Sequence, residues 1–331
     1  MRRILLVGGG HAHAWVLRAG VPGEVTLVTP YPHHTYSGML PGFVAGHYAL
    51  DEIRIDVARL AARAGARLIL GRVAALDAAN RRVRLEDGAE LEYDLASLDV
   101  GSGSAAPVYA LGAKPFEPFM EQWLEAKDRA RSIAVVGAGA AGVELAMAAA
   151  HRTSARVALF SDRPMFRAGL ARRIARQLAR NGVELRTGVA FTDGVRDGYD
   201  LVIWTAGAAP LPWLRDSGLA VDERGFVLVD EQLRSVSHPE VFAAGDCATL
   251  RDAAHPKSGV FAVRHAPVLA ANLDGADRRY VPQRRALALI SCGERYAIAD
   301  WNGLSVEGAW VWRWKDRIDR RWVEGFRAPA G

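Results

Sequence analysis

Two glycine-rich turns, at residues 8–10 and 137–142, constrain the fold of this 331-residue chain more than any other feature. Each turn lies between a short apolar run and a stretch whose apolar residues have helical spacing, and a second apolar run closes each unit. The four predicted strands span residues 4–7, 24–29, 133–136 and 156–160. The pattern predicts an α/β fold with two Rossmann-like, three-layer nucleotide-binding modules.

The second turn carries the complete glycine fingerprint. In such a turn the first glycine permits a sharp bend, the second lets the backbone approach a diphosphate, and the third lets helix and strand pack closely. Gly137, Gly139 and Gly142 stand at these positions. The helix that follows offers free amide donors and a positive dipole end, which suit a diphosphate.

The first turn is less regular. Gly8, Gly9 and Gly10 are present, but His13 stands where the third glycine is expected. We therefore expect helix and strand to lie slightly further apart in this module. On these residues alone, a glycine-rich loop that binds nothing remains an alternative.

The regions around the two units suggest how each module is completed. Residues 53–64 fit a helix ended by Gly65, and residues 67–99 resemble a small meander with a hairpin turn at Asp87–Gly88. A basic amphipathic helix over 172–180 and a strand from residue 183 belong to the second module. The predicted domains are residues 1–107 with 237–331, and residues 108–236.

Three further strands run into a glycine. They end at Gly101, Gly207 and Gly245, and Asp246 follows the last of these. An aspartate in this setting can accept hydrogen bonds from the hydroxyls of a sugar alcohol. A lone Gly-Asp pair is commonplace. Its interpretation as a binding site depends on the two similar segments that end at Gly101 and Gly207, one after each module.

Composition excludes several classes of protein. Half of the residues are hydrophobic, 24% are charged and the formal net charge is +5, which is typical of a globular protein and gives no clustered basic footprint for nucleic acid. No run approaches the length of a membrane span. Two cysteines, Cys247 and Cys292, cannot form a disulfide framework, so we expect a reducing, cytoplasmic location. The N-terminal histidines, His11, His13, His33 and His34, are not expected to bind metal, because two of them lie in the glycine turn itself.

Together these motifs, in this order, resemble the two-dinucleotide flavoproteins of the pyridine nucleotide-disulfide oxidoreductase family. The segments 36–42 and 256–264 look like the branch that contains type II NADH dehydrogenases and sulfide:quinone reductases. The chain looks most similar to the flavoprotein domains fused ahead of selenide, water dikinase, although that kinase half is missing here.

The resemblance implies FAD on the first module and NAD(P)H on the second. It implies that FAD is bound by Asp246 at its ribityl chain, by a helix beginning near Ala266, and by residues of the first turn and its strands: Gly8, Gly9, Gly10, His11, Ala12, Thr29 and Gly101. It implies a catalytic role for Glu144 at the junction of nicotinamide and flavin, although a glutamate merely favoured in the first turn of a helix is the alternative. The implied NAD(P)H contacts are Gly137, Gly139, Gly142, Ser161 and Gly207.

Several departures from the family pattern limit the chemistry. Residues 33–47 contain no cysteine pair, so electrons must leave the flavin directly. Thr29 stands where an acid usually binds the adenine ribose. Ser161 is followed by Asp162 and Arg163, and the arginine leans slightly toward NADPH, with Asp162 as an alternative partner for the ribose hydroxyls of NADH. The predicted function is an FAD-dependent NAD(P)H oxidoreductase with a small-molecule or quinone acceptor. A peripheral-membrane quinone reductase and an accessory protein of selenophosphate synthesis are the alternatives.

The C-terminal residues 309–326 are rich in tryptophan and arginine. We expect a helix that packs over its own flavin domain rather than against a membrane, because charged residues interrupt the apolar ones every few positions. The sequence does not decide the oligomeric state, and a homo-oligomer is compatible with it.

Overall fold

The computed structural model describes residues 1–163, 166–253, 256–283 and 287–327. Its first part contains the following helices and strands: β1 (Arg3–Val7), α1 (His11–Ala19), β2 (Glu24–Thr29), β3 (His33–Thr35), α2 (Leu40–Val44), β4 (Arg54–Asp56), α3 (Val57–Arg63), β5 (Arg67–Leu70), β6 (Val73–Asp77), β7 (Arg82–Leu85), β8 (Glu90–Glu92) and β9 (Leu95–Leu98). A 3-10 turn at Ser37–Met39 precedes α2.

The middle of the chain forms a second series: β10 (Gly103–Ser104), β11 (Leu111–Gly112), α4 (Phe116–Ala126), β12 (Ser132–Val136), α5 (Ala140–Arg152), β13 (Arg156–Ser161), α6 (Ala168–Arg180), β14 (Glu184–Thr187), α7 (Asp193–Arg196), β15 (Leu201–Trp204) and β16 (Ala208–Ala209). The last part contains β17 (Val227–Val229), β18 (Val241–Ala243), β19 (Ala248–Leu250), α8 (Gly259–Leu273), β20 (Ala288–Ser291), β21 (Ala297–Trp301), β22 (Leu304–Gly308) and α9 (Ala309–Arg327).

Two parallel sheets form the centres of the two modules. The first has the strand order β18-β9-β1-β2-β5 and the second β11-β15-β12-β13-β14. Both are buried on their two faces, which is why β1 and β12 read as continuous apolar runs rather than alternating ones. The predicted α/β fold with two Rossmann-like, three-layer modules is confirmed.

The first module closes with a strand from far along the chain. β18 pairs in parallel with β9, from Val241 opposite Ala96 to Ala243 opposite Leu98. Residues 241–243 thus form the edge strand of the first sheet. The meander predicted over residues 67–99 is only partly correct. β6-β7-β8 pair antiparallel, whereas β5 and β9 at its two ends belong to the parallel sheet.

One local prediction was wrong. Residues 54–56 form β4, paired antiparallel with β3, and the helix begins only at Val57. The buried Ile53 and Ile55 fit either secondary structure, and the pairing with β3 decides for the strand. The Asp56 carboxylate then accepts a hydrogen bond from Arg59 N at 2.8 Å and so marks the true start of α3.

The C-terminal residues form a layer across both modules. In the described part of the chain, β20-β21-β22 is an antiparallel sheet, and α9 follows it directly. Tyr48 donates a hydrogen bond of 2.7 Å to Asp316 on α9, and Trp15 on α1 stacks on Trp322 with ring centroids 5.9 Å apart. The expected packing of this helix over the first module is thus observed. Within the ranges described, no helix is both long and apolar enough to cross a bilayer.

Candidate functional site

The first glycine turn joins β1 to α1 at the carboxyl edge of the first sheet. Gly8 has φ of 94°, a left-handed conformation, and a Cβ there would clash with the Asp99 carbonyl. A Cβ on Gly10 would lie 2.5 Å from the Asp99 carboxylate. Neither position accepts a side chain, so the backbone of the turn stays bare, as the close approach of a diphosphate requires.

Asp99 is a site residue that sequence reasoning missed. Its Oδ2 accepts hydrogen bonds from Ala12 N at 2.8 Å and His13 N at 3.0 Å, at the N-terminus of α1. Burial raises the pKa of this carboxyl to about 7, although both amide hydrogen bonds lower it. The sequence feature that could have revealed Asp99 is its position directly after β9 and two residues before Gly101.

His13 takes the place of the third glycine and is fully buried. Its Nδ1 lies 2.6 Å from the Gly8 carbonyl and its Nε2 lies 2.8 Å from Ser97 Oγ. Because a carbonyl only accepts, Nδ1 carries the proton and Nε2 accepts from the serine hydroxyl. The imidazole therefore connects α1 to the turn and to β9. In turns that have the third glycine, helix and strand pack in direct contact instead.

His11, the first residue of α1, is 6% exposed. Its Nδ1 lies 2.9 Å from His34 Nε2, and its own Nε2 is buried with no hydrogen-bond partner among the described residues. Burial lowers the pKa of His11 to about 4, so the ring is neutral near pH 7. A buried polar atom of this kind at a helix N-terminus fits a bound cofactor that supplies the missing partner.

Asp246 follows β18 in a 3-10 turn at Gly245–Cys247. It forms an ion pair with Lys114, and the Ser102 hydroxyl lies 3.5 Å from the same carboxylate oxygen. Asp246 and Lys114 both contribute to the electrostatic field at His11, so the acid lies next to the first turn. Gly101, with open space around its α-carbon, lies between β9 and Ser102.

Thr29, another predicted contact of the first module, lies close to the first glycine turn. Thr29 is buried, its Oγ1 donates to the Tyr31 carbonyl at 3.3 Å, and the same oxygen would lie 3.0 Å from a Cβ on Gly9. It therefore lies at the turn as expected, with a hydroxyl in place of an acid.

The prediction of a helix start near Ala266 was wrong. α8 begins at Gly259, continues through Pro267, and holds Ala266 fully buried in its interior. Proline is tolerated in a first turn, so Pro267 resembled a start signal, but here it interrupts a longer helix. The N-terminus of α8 lies instead beside Ser37, whose Oγ would be 2.7 Å from a Cβ on Gly259.

The second glycine turn is more regular. Gly137 has φ of 103°, and a Cβ on Gly142 would overlap the Gly137 carbonyl, so α5 packs directly on the turn. The α5 N-cap is Gly139, and within the described residues no side chain accepts from the first amides of this helix. Thr205, two residues before Gly207, donates to the carbonyls of Val136 and Gly137 at 2.9 and 2.7 Å. The first amides of α5 are thus available to a phosphate.

Ser161 ends β13, 5% exposed, and its hydroxyl donates to the Arg163 carbonyl at 2.6 Å. Asp162 and Arg163 are both exposed beside it. The Asp162 carboxylate suits the ribose hydroxyls of NADH, and the Arg163 guanidinium suits the 2′-phosphate of NADPH. The arrangement therefore favours neither nucleotide.

Glu144 lies in the first turns of α5 and faces the C-terminal layer. Its Oε1 accepts a hydrogen bond from Ser291 N at 2.9 Å. Burial raises its pKa to about 7, and the charge of Lys315 acts in the opposite direction. A carboxyl that titrates near neutral pH is suited to hold or pass a proton.

Lys315 and Asp319 on α9 also belong to this neighbourhood and were missed from the sequence. Lys315 Nζ donates to Asp319 Oδ2 and to the Gly38 carbonyl, each at 2.6 Å, and both side chains are buried. The Tyr36 hydroxyl lies close enough to the Asp319 carboxyl to lower its pKa. This buried pair thus fixes α9 to residues 36–38 and places a cation near Glu144.

The two cysteines are buried and unpaired. Burial raises the pKa of each thiol to about 12, so neither is a nucleophile near neutral pH. Cys292 packs as a small apolar side chain, as expected. Within the described ranges no cluster of three or more His, Cys, Asp or Glu side chains is arranged to hold a metal ion.

The sequence pattern described as pyridine nucleotide-disulphide oxidoreductase matches residues 2–266, most of the chain. The chain belongs to this family. It is 28% identical to the NADH dehydrogenase-like protein MT1860 of Mycobacterium tuberculosis, over 76% of this chain and 74% of that protein. It is 26% identical to the demethylphylloquinone reductase NdbB of Synechocystis, over 99% of this chain and 92% of that protein.

Among solved structures, the water-forming NADH oxidase of Lactobacillus brevis, bound to NADH, superposes with a TM-score of 0.76 at 23% identity. It covers 91% of this chain and 75% of that one. The family resemblance expected from the motifs is confirmed, and this chain is an NAD(P)H oxidoreductase of the flavoprotein type.

Proposed function

We propose that this oxidoreductase binds FAD on the first module and NAD(P)H on the second, and passes electrons from the flavin directly to its acceptor. The observation that carries the proposal is the position of Glu144. This carboxyl belongs to α5 of the second module, yet it is held by Ser291 of the C-terminal layer and lies in the field of Lys315, which binds residue 38 of the first module. Glu144 of the second module, the C-terminal layer and residue 38 of the first module therefore meet in one buried region.

The residues of the first module fit a flavin dinucleotide. The bare turn at Gly8–Gly10 and the amides of α1 suit a diphosphate. The buried Nε2 of His11, which has no partner among the described residues, can form a hydrogen bond with a polar atom of the cofactor. Asp246 can accept hydrogen bonds from ribityl hydroxyls. When bound, the flavin would accept a hydride from the nicotinamide and release electrons to the acceptor. The chain itself contributes positioning, exclusion of water and a proton held at the Glu144 carboxyl.

The test begins with the absorption spectrum of the freshly purified protein, which we expect to show bound flavin. Anaerobic mixing with NADH and with NADPH should bleach that flavin within seconds, and the faster of the two identifies the nucleotide. Asp246→Ala should release the cofactor, because the carboxylate that accepts its hydroxyls is gone. Asp252→Ala, an exposed acid six residues further on, serves as the matched control. A colourless protein that cannot be reconstituted with FAD would contradict the proposal.

A quinone is the acceptor class with specific support. The relative that aligns with 99% of this chain is named as a demethylphylloquinone reductase. In addition, Trp310, Trp314 and Ile318 lie four residues apart on α9 and are 51%, 39% and 40% exposed. Such an apolar stripe, bordered by arginines, suits contact with the membrane in which quinones dissolve.

Liposome flotation and reduction of a water-soluble quinone analogue test this candidate. We expect the double variant Trp310→Ser/Trp314→Ser to lose binding to vesicles but to keep activity on the soluble analogue. Leu124→Ser, an equally exposed apolar residue on α4, should change neither. Vesicle binding that is the same in all three proteins would argue against this use of α9.

The similarity to domains fused to selenide, water dikinase stays a prediction. An accessory role in selenophosphate synthesis without turnover would leave the flavin oxidised for minutes after mixing with either nucleotide. The same rapid-mixing experiment therefore separates this alternative from an enzyme.

A further inference from the structure

The two modules of this chain differ at one equivalent position. Thr205 and Asp99 each stand two residues before a glycine with φ near 70°, at the end of the strand beside the glycine turn. Thr205 is neutral and donates its hydroxyl hydrogen to the turn carbonyls. Asp99 accepts from the amides of the following helix instead. At this position the first module has the Asp99 carboxylate, whereas the second module has the neutral hydroxyl of Thr205.

The carboxylate has no cation to balance it. Among the described residues Asp99 makes no ion pair, is 5% exposed, and has no hydrogen-bond partner at Oδ1. Lys114, which contributes to the field at His11 on the same helix end, is paired with Asp246. The positive end of α1 is therefore the main stabilisation that the charge of Asp99 receives.

Titratable groups face Asp99 from each element packed against it. From α1 come His11 and His13, whose pKa values burial lowers to about 4, so they are neutral near pH 7. From the turn after β18 come Asp246 and the Cys247 thiol, and from α8 comes His265, which accepts from Gly245 N at 3.0 Å. Two other described groups can bind a proton near neutral pH. They are Lys257, whose pKa burial lowers to about 8, and Glu144 of the second module, whose pKa burial raises to about 7.

We propose that Asp99 takes up one proton when the flavin dinucleotide binds, so that the N-terminus of α1 exchanges its resident negative charge for that of the diphosphate. This inference rests on the proposed assignment of FAD to the first module. Two anions that share one buried helix end repel each other, and the one that can accept a proton does so. The proton comes from solvent, no covalent bond other than the new carboxyl O–H forms, and Oδ1 becomes able to donate a hydrogen bond toward the ligand.

The consequence is a pH-dependent affinity for FAD. Burial raises the pKa of free Asp99 to about 7, and the bound diphosphate raises it further. Below this range the carboxyl is protonated in both states and the dissociation constant is constant. Above it, the free protein has lost a proton that the complex retains, so the dissociation constant rises tenfold per pH unit. The diphosphate diester itself does not titrate between pH 6 and 9.

Isothermal titration of the deflavinated full-length chain with FAD at pH 8, in buffers of different ionisation enthalpy, counts the protons taken up. We expect a value close to one for the native chain. Asp99→Asn, and Asp99→Thr, which copies the second module, should take up none and should bind FAD equally well at pH 6 and pH 8. Asp94→Asn, at the amino end of the same strand, should behave like the native chain.

Lys257→Arg and Glu144→Gln separate Asp99 from the two other groups that could bind the proton. The guanidinium stays charged throughout and the carboxamide stays neutral. Proton uptake that persists in both of these variants and disappears in Asp99→Asn supports the inference. Uptake that disappears in either of them and persists in Asp99→Asn overturns it, as does zero uptake by the native chain. If FAD does not bind to the native chain at any pH, the proposed function fails instead, and the two failures are thereby distinguished.

Discussion

At the scale of single residues, burial decides which groups of the site can titrate near neutral pH. Asp99 and Glu144 are held in buried positions that raise their pKa values to about 7, while His11 and His13 are lowered to about 4. The carboxyls are therefore the groups that can change charge in the working range, and the imidazoles are fixed neutral hydrogen-bonding groups. With ordinary pKa values the histidines, and not the carboxyls, would titrate near neutral pH, so burial exchanges the two roles.

For Glu144→Gln we expect full FAD content and a flavin turnover about 10²-fold slower, because the carboxamide cannot hold or release a proton. The native rate should show an inflection near pH 7 that the variant lacks. Anaerobic stopped-flow spectroscopy across pH 6–9 measures both. Glu117→Gln is the control, since Glu117 is also buried, has a raised pKa and accepts from Thr35. Unchanged kinetics in Glu144→Gln would reduce this glutamate to a structural residue of α5.

For His13→Gln we expect two effects on the free energy of unfolding. Near pH 7 the variant should lose about 1–3 kcal/mol. The Gln amide has a donor and an acceptor, but its flexible side chain does not hold them in the fixed positions from which the imidazole binds the Gly8 carbonyl and the Ser97 hydroxyl. The folded pKa of His13 is depressed from 6.5 to about 4, so its contribution is present above pH 6.5 and is lost as pH falls through 4. The native chain should therefore lose up to about 3 kcal/mol more than the variant on acidification.

Denaturant unfolding at pH 7 and pH 4 checks both effects of the His13 substitution, with His238→Gln as the control at a surface turn. Equal acid sensitivity of the native chain and His13→Gln would contradict the assignment of a neutral, bridging imidazole.

At the scale of elements, the C-terminal hairpin secures the helices of the second module. Glu307 on β22 accepts from Gln177 and Arg173 at 3.0 Å each and also pairs with Arg176, all on α6. Gln177 is 4% exposed, so removing its acceptor leaves a buried donor unsatisfied.

We expect Glu307→Ala to lower the free energy of unfolding by about 1–3 kcal/mol. Glu294→Ala, which removes an exposed ion pair of 3.9 Å with Arg180 on the same helix, should cost under about 1 kcal/mol. Denaturant unfolding of the two variants side by side gives the comparison. Equal losses would mean that the buried contact contributes no more than an exposed one.

The elements nearest the glycine turns were predicted well, and those assembled from distant segments were not. β1, α1 and β2 depend on local periodicity and on Gly8, so their sequence contains the whole signal. β4 depends on pairing with β3, and α8 on packing that overrides the break at Pro267, neither of which is visible locally. The same distinction applies to the site: Glu144 and Asp246 follow local motifs, whereas the approach of Lys315 to Gly38 spans most of the chain.

At the scale of the whole molecule, the C-terminal layer binds to both modules. Ser291 contacts α5 and Glu307 contacts α6 of the second module. On α9, Asp316 accepts from Tyr48 and Arg320 pairs with Glu52, both in the first module. Because one layer contacts both modules, their unfolding is expected to be coupled.

We expect thermal unfolding followed by far-ultraviolet circular dichroism and by release of flavin fluorescence to give coincident transitions. Separate transitions, with flavin lost well before the second module melts, would show that the layer transmits little stability between the modules. The Glu307→Ala variant serves as the comparison, since it should widen any gap between the two signals.

The pairing of β18 with β9 also has a consequence for biosynthesis. Residues 1–98 leave the ribosome first, yet their sheet lacks its edge strand until residues 241–243 have been translated, and Asp246 comes after that. The strands of the other sheet all lie between residues 111 and 204, so that module can complete itself earlier. Nascent chains would therefore complete the second glycine turn and its sheet before the sheet of the first, in the reverse of their order along the polypeptide.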